Sequence, residues 1–263
     1  MQITFEHFPK IKGIQLTNRY FKYLQLLLLT ACLLGNLSTQ TLAQLNNLGS
    51  WNIINLKYTL NKNVSCFGEA QLRSLRFYNN FHYYEYKGGV NYKATKDIQL
   101  TLGLGSYQTY KEGGNFVTPK NNNEIRIWPQ LTLFQSLGKF KIEQRYRLEL
   151  RWTSTGYRNR FRYRLGITHS FGKQRNEFSP FQVSASNELF FGNKGPYFER
   201  NRLLFAFNYK PSKATAIQVG FLHQFDYKIN DEIGRNFLVM GFYYEITRKT
   251  ASKTVHHAAI NDF

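Results

Sequence analysis

The chain has 263 residues, a formal charge of +19 at pH 7 and 17% aromatic residues, with tyrosine alone contributing 18. That length suits one large domain or two small ones. Its two cysteines, Cys32 and Cys66, exclude a disulfide-stapled scaffold or a zinc or redox site built on cysteine. The charge invites a nucleic-acid reading, but the basic residues are spread along the whole chain rather than gathered in one patch, which argues against that partner.

The first 43 residues read as a cleavable export leader. Lys10, Lys12, Arg19 and Lys22 form a basic segment, Tyr23 to Leu37 is apolar, and Thr41–Leu42–Ala43 has the small–x–small form of a signal-peptidase site. The alternative is a lipoprotein box at Leu29–Thr30–Ala31–Cys32, although Leu33 and Leu34 continue the apolar run past the cysteine. The apolar run is too short and interrupted for a comfortable transmembrane helix, and no later segment approaches ~18 consecutive apolar residues.

From Trp51 to about Ile246 the hydrophobic period is 2, the signature of strands with two unlike faces. Eleven candidate strands lie near 50–60, 64–77, 81–93, 97–110, 123–136, 139–153, 157–171, 179–192, 199–210, 214–228 and 235–247. Many exceed ~10 residues, whereas globular strands average ~5–6; long strands are what a bilayer-spanning barrel needs. Four connections are short: Leu60–Val64, Tyr92–Asp97, Ser136–Lys141 and Lys210–Thr215. Three are longer and richer in glycine and polar residues: Tyr110–Glu124, Gly192–Glu199 and Tyr227–Asn236. That alternation places short periplasmic turns on one side and long loops on the other. Single-chain bacterial barrels usually have an even strand number. The expected fold is therefore an antiparallel transmembrane β-barrel of 10–12 strands, preferably 12, with the segment from Ala43 to Ser50 starting an extra strand or threading the interior. The barrel is assigned to 44–248 and a basic periplasmic tail to 249–263.

The sixth and seventh strands show how the faces divide. One face carries Glu143, Arg145, Arg147, Glu149 and Arg151, then Arg158, Arg160, Arg162 and Arg164; the other carries Tyr146, Leu148, Leu150, Trp152, Phe161, Tyr163, Leu165 and Ile167. A basic side chain on the lipid face of a barrel costs ~2–4 kcal/mol at the midplane, so the charged face is expected inside. The same parity puts Glu69, Arg73, Glu85, Lys87, Glu124, Arg126, Glu188, Arg202, Asp226 and Glu245 inside. A simple hairpin register opposes Arg145 to Arg164, Arg147 to Arg162 and Glu149 to Arg160. Opposed like charges are unfavourable, so carboxylates from non-neighbouring strands, such as Glu69, Glu124 or Glu188, are expected to cross the interior and neutralise them. Two uses of such an interior remain open: a structural salt-bridge network filling a narrow barrel, or a path or site for small anions.

Near the end, Gly241, Tyr244 and Ile246 resemble the C-terminal signal read by the barrel-assembly machinery, although Val239 replaces the usual polar residue and a basic tail follows. Several segments together resemble an uncharacterised outer-membrane β-barrel family of Gram-negative bacteria, a domain-of-unknown-function family. They are Gly49–Ser50–Trp51, the Glu69–Gln71–Arg73 strand, Arg145–Arg151, Arg158–Leu165, Asn187–Phe191 and Glu199–Pro211, within a span of about 49–246. The resemblance implies barrel fold and outer-membrane location, and no activity.

Candidate chemistry beyond charge is sparse. His169 and Ser170 are neighbours on a strand and point to opposite faces, so they form no dyad. Ser184, Ser186 and Glu188 share a face that lacks a histidine, and His223 falls on the apolar face. His256–His257 has no metal-ligand spacing, and Gly88–Gly89 and Gly113–Gly114 precede no helix that would make a phosphate cradle. No cofactor is expected, and the expected partners are outer-membrane lipid, the assembly machinery and small anions. The alternatives are an outer-membrane lipid-modifying enzyme and a soluble secreted β-sandwich that binds a ligand.

Overall fold

The computed structural model describes residues 48–174, 178–227 and 233–248. The leader (1–43), residues 44–47 and the tail (249–263) lie outside the described residues. Eleven strands are present among the described residues: β1 (Leu48–Thr59), β2 (Val64–Arg76), β3 (Asn79–Lys93), β4 (Ile98–Lys111), β5 (Val117–Leu137), β6 (Phe140–Thr153), β7 (Gly156–Phe171), β8 (Phe181–Gly192), β9 (Phe198–Tyr209), β10 (Thr215–Asp226) and β11 (Ile233–Thr247). Each pairs with its chain neighbours, and β1 pairs with β11, so one sheet closes into a barrel. The two facing sheets of a sandwich are absent from this arrangement.

Eleven, not twelve, is the strand number, and the closure explains how an odd number is accommodated. In an up-and-down meander of odd count the first and last strands run the same way. The β1–β11 pair is accordingly parallel, from Leu48 opposite Asn236 to Thr59 opposite Thr247. All other pairs are antiparallel. No extra strand is needed, because closure already removes the free edges that long strands would otherwise expose. Inside the seam, Trp51 and Ile53 of β1 pack with Phe237, Val239 and Tyr243 of β11. Trp51 and Phe237 meet edge to face at 5.6 Å, a favoured aromatic geometry. These contacts join residues nearly two hundred positions apart and help to hold the parallel seam.

The connections depart from the expected alternation on both rims. Most of the Tyr110–Glu124 stretch is strand: β5 begins at Val117 and continues the β4 ladder beyond Thr109 through an irregularity. β7 ends and β8 begins, with nine residues between them in sequence, on the same rim as the short turns. On the opposite rim, where β1 begins, β2–β3 and β6–β7 are joined by only Phe77–Tyr78 and Ser154–Thr155. Loop length therefore does not cleanly distinguish the two rims.

The period-2 faces fall as the alternation requires. Leu100, Leu102 and Leu104 of β4, Ile125 and Ile127 of β5, Leu148 of β6 and Val219 of β10 are exposed, while Glu149, Arg145, Gln218 and Asn208 are among the most deeply buried side chains. The outer wall is apolar near mid-strand, aliphatic at Leu102 and Leu104 and aromatic at Tyr86, Phe205 and Phe221, and carries aromatic clusters toward both rims. Tyr84, Tyr110 and Phe116 cluster near the rim where β1 begins; Phe171, Phe181, Phe207 and Tyr209 cluster near the other. Within the barrel, Trp128 of β5 is fully buried and lies across Gly103, its cross-strand partner on β4. A Cβ at Gly103 would collide with the indole, so the glycine makes room for the largest side chain in the interior.

Candidate functional site

The β6–β7 hairpin supplies the centre of the interior. Its register is the one expected from the two-residue turn: Arg145 opposite Arg164, Arg147 opposite Arg162, Glu149 opposite Arg160 and Arg151 opposite Arg158. The like-charge pairs are resolved mainly by local acids. Glu149, with no exposed surface, accepts from Arg160 Nε at 2.8 Å and Arg162 Nη1 at 2.6 Å, with Arg126 and Arg147 each 3.9 Å away. Glu188 of β8 receives Arg162 Nε at 3.0 Å and, across the intervening strand, Arg145 Nη2 at 2.6 Å. Glu143 pairs with Arg164. Glu124 of β5 takes a bidentate pair from Arg126, at 2.8 and 2.9 Å, and also binds Arg151. Bidentate guanidinium–carboxylate geometry is the strongest form of such contacts. Arg147 additionally donates to the Gln130 side-chain carbonyl.

Of the acids expected to neutralise the hairpin, Glu124 and Glu188 do so, but from the flanking strands β5 and β8 rather than from non-neighbouring strands across the interior. Glu69 does not: it sits on β2 with Lys87 at 2.6 Å and Asn55 at 2.8 Å. Lys87 also reaches Glu85, which holds Arg73 at 3.1 Å. The barrel thus contains a second, smaller ion cluster on β1–β3. Arg158 departs from its expected place too. It lies at the rim start of β7 and is exposed, so it shares the parity of the inward arginines without being covered. The other fourteen expected residues are buried, apart from Arg151, which is half-buried at the rim.

The interior also contains what strand parity alone missed. The wall formed by β9, β10, β11 and β1 is largely apolar, with Leu204, Ala206, Ala216 and Leu222 joining the seam cluster. Four arginines surround Phe190, which is fully buried: Arg162 at 4.5 Å, Arg202 at 4.8 Å, Arg160 at 5.2 Å and Arg200 at 5.7 Å from the ring centre. Arg73 lies 3.4 Å from the centre of Trp51. Cations over aromatic faces are favourable, more so away from water. The signal was present, because Phe190 shares Glu188's face. Glu199 was harder to find. By alternation from Arg202 it faces outward, yet it approaches Arg160 at 3.4 Å and Arg151 at 3.6 Å. The register shifts beside it, between Phe190 and Phe191, and a bulge of this kind re-aims a side chain.

At the rim where β1 begins the interior opens into a cavity of about 380 Å³, bounded by Trp51, Arg73, Tyr83, Arg126, Arg202 and Phe237 among others. Nine basic and five acidic side chains line it among the described residues. Below it the barrel is filled: Arg145, Trp128, Gln218 and Asn208 retain 0–1% of their surface. Among the described residues no group of three or more His, Cys, Asp or Glu side chains is placed to hold a metal ion. His169 stacks outside on Phe171 while Ser170 bonds Gln182, the opposite facing that their adjacency requires. His223 is hydrogen-bonded to Asn236.

The second rim is basic in another way. Lys57 pairs with Glu245 at 3.0 Å, and Lys210, just beyond β9, is buried nearby. Burial first, and then the positive charge of Lys141, lower the Lys210 pKa from 10.5 to about 8, against the pull of Glu245. Below about pH 8 both folded and unfolded chains carry this proton. Between about 8 and 10.5 the unfolded chain holds it more tightly, so stability should rise with pH across that window. Urea titrations at pH 7.5 and 10 should show that rise in the wild type and a smaller one in Lys210→Met; equal rises would contradict it.

A model of the DUF2490 family, described as a protein of unknown function, matches residues 48–235, from the start of β1 into β11. No curated protein matches the chain, and no solved structure does. The matched span covers ten of the eleven strands and every buried charge of the arginine hairpin, so the chain belongs to the DUF2490 family, whose function is unknown.

Proposed function

We propose that this protein is a β-barrel of the bacterial outer membrane, and that its arginine-rich interior receives small anions at one rim without passing them through. The observation that carries the membrane reading is the outer wall. Its middle is lined by exposed apolar residues such as Leu102, Leu104, Val219, Phe205 and Phe221, flanked by aromatic clusters at both rims. An apolar band between aromatic girdles suits a bilayer and its two interfaces. The interior supports the receiving role: the cavity has an excess of cations, and the filled middle below it favours a receptacle over a pore.

Fractionation tests the location: the exported protein should sediment with outer membranes and need detergent for release, and a soluble mature protein would overturn the proposal. Planar bilayers test the closed middle. Reconstituted protein should give no steady current steps in potassium chloride, whereas anion-selective steps would mean that the cavity continues to the second rim.

A further inference from the structure

One guanidinium in this cavity has no acid. Around the cavity Arg73 pairs with Glu85, Arg126 with Glu124, Arg160 and Arg162 with Glu149, Arg200 with Asp226 and Arg235 with Glu112. Arg202 is 9% exposed, and among the described residues no carboxylate lies within ion-pair distance of it. Its single hydrogen bond runs from Nε to the Gln224 side-chain carbonyl at 2.9 Å. Two acids face it: Glu188, directly opposite on β8, is taken by Arg145 and Arg162, and Asp226 of β10 is taken by Arg200 and by the Gln224 amide at 2.6 Å. The two terminal nitrogens of Arg202 therefore have no protein acceptor, and the residue lines the cavity.

A buried, unpaired charge is strongly unfavourable unless something compensates it. Here two aromatic rings do so in part: the guanidinium carbon lies 4.8 Å from the ring centres of both Trp51 and Phe190. The same rings hold Arg73 and Arg200, so the surrounding field is positive. Gln224 fixes the fork by its Nε side and leaves its end free. A planar end with two parallel donors matches the two oxygens of a carboxylate.

We infer that the free end of Arg202 anchors a small organic monocarboxylate in this cavity, with its apolar body against Trp51, Tyr83 and Phe237. This rests on the anion-receiving reading of the same cavity. The fork argues for a carboxylate, because its two parallel terminal donors meet two oxygens in one plane; a phosphate monoester would bring a third oxygen and a second negative charge that this one fork does not meet. The wall argues for an organic rather than a mineral anion. Trp51, Tyr83 and Phe237 are all at the cavity surface, and a pocket of this volume is at the small end of ordinary ligand sites.

The test uses the full barrel refolded in detergent, titrated with benzoate, phenyl phosphate and chloride by calorimetry and by thermal melting. Benzoate should bind at millimolar concentration or below and raise the midpoint; phenyl phosphate should bind at least tenfold more weakly, and chloride should leave the midpoint unchanged. Arg202→Met should lose benzoate binding by at least tenfold. It should also melt at or above the ligand-free wild type, because removing an unpaired buried charge relieves a cost; a merely structural arginine would melt lower when replaced. Lys96→Gln, exposed at the opposite rim and outside the cavity, should bind as the wild type does. Equal benzoate binding by Arg202→Met would overturn the Arg202 assignment and leave the anion-receiving cavity standing. Binding of phenyl phosphate in preference would overturn the carboxylate assignment alone. No binding of any probe by the wild type would overturn both, independently of where the barrel resides.

Discussion

Glu149→Gln should unfold the barrel or remove about 3–5 kcal/mol of its stability, the usual cost of deleting one partner from a buried ion network. Glu149 has no exposed surface and is the shared acceptor of Arg160 and Arg162, with Arg126 and Arg147 at 3.9 Å. The glutamine retains the size and loses the charge, so four guanidiniums would crowd a site with no acid at its centre. Glu112→Gln is the comparison. Glu112 also binds an arginine, Arg235 at 2.6 Å, but its side chain is 59% exposed, and an exposed pair contributes about 1 kcal/mol or less. Urea unfolding followed by tryptophan fluorescence, together with the heat-dependent gel mobility typical of folded barrels, measures both. If the two variants lose similar stability, the interior network is not what holds β5, β6 and β7 together.

Leu104→Arg should be costly in lipid and near neutral in water, which makes it the sharpest mutational test of location. Leu104 lies at the middle of β4 and is 62% exposed on the outer wall. At a bilayer midplane the arginine would cost about 2–4 kcal/mol. On a surface facing water such a change is usually within about 0.5 kcal/mol of neutral. The measurement is folding into lipid vesicles along a urea series, with Lys120→Arg at the rim as a control. Matching midpoints for Leu104→Arg and wild type in vesicles would count against a lipid-facing wall.

The alternation in Glu143–Trp152 and Tyr157–Gly166 was enough to separate inner from outer residues and to set the hairpin register pair by pair. It could do so because a strand has only two faces and a two-residue turn leaves no slack in pairing. For the same reason the eleven candidate strands match the eleven observed, with boundaries mostly displaced by one or two residues. The expectation of a twelfth came from a parity habit of barrels, not from any residue. Nothing local to β1 or β11 announces that they pair in parallel.

Which acid meets which arginine was only partly legible. Glu124 and Glu188 were found from parity, and Glu69 was misassigned, because facing inward does not say how far around the wall a side chain lies. Glu199 escaped because a bulge broke the period that the reading relied on. The apolar sector of the interior was missed because inward positions on β9–β11 were judged by their charges alone.

What the sequence by itself determined was the local part: strands, their faces and the hairpin pairing, all governed by a period of two over neighbouring residues. What only the tertiary structure decided was the circular part. Closure brought Trp51 of the first strand beside Arg202 of the ninth, and left that guanidinium between two rings with no acid. Such a vacancy depends on distances across a closed wall, and no periodicity along the chain encodes those distances.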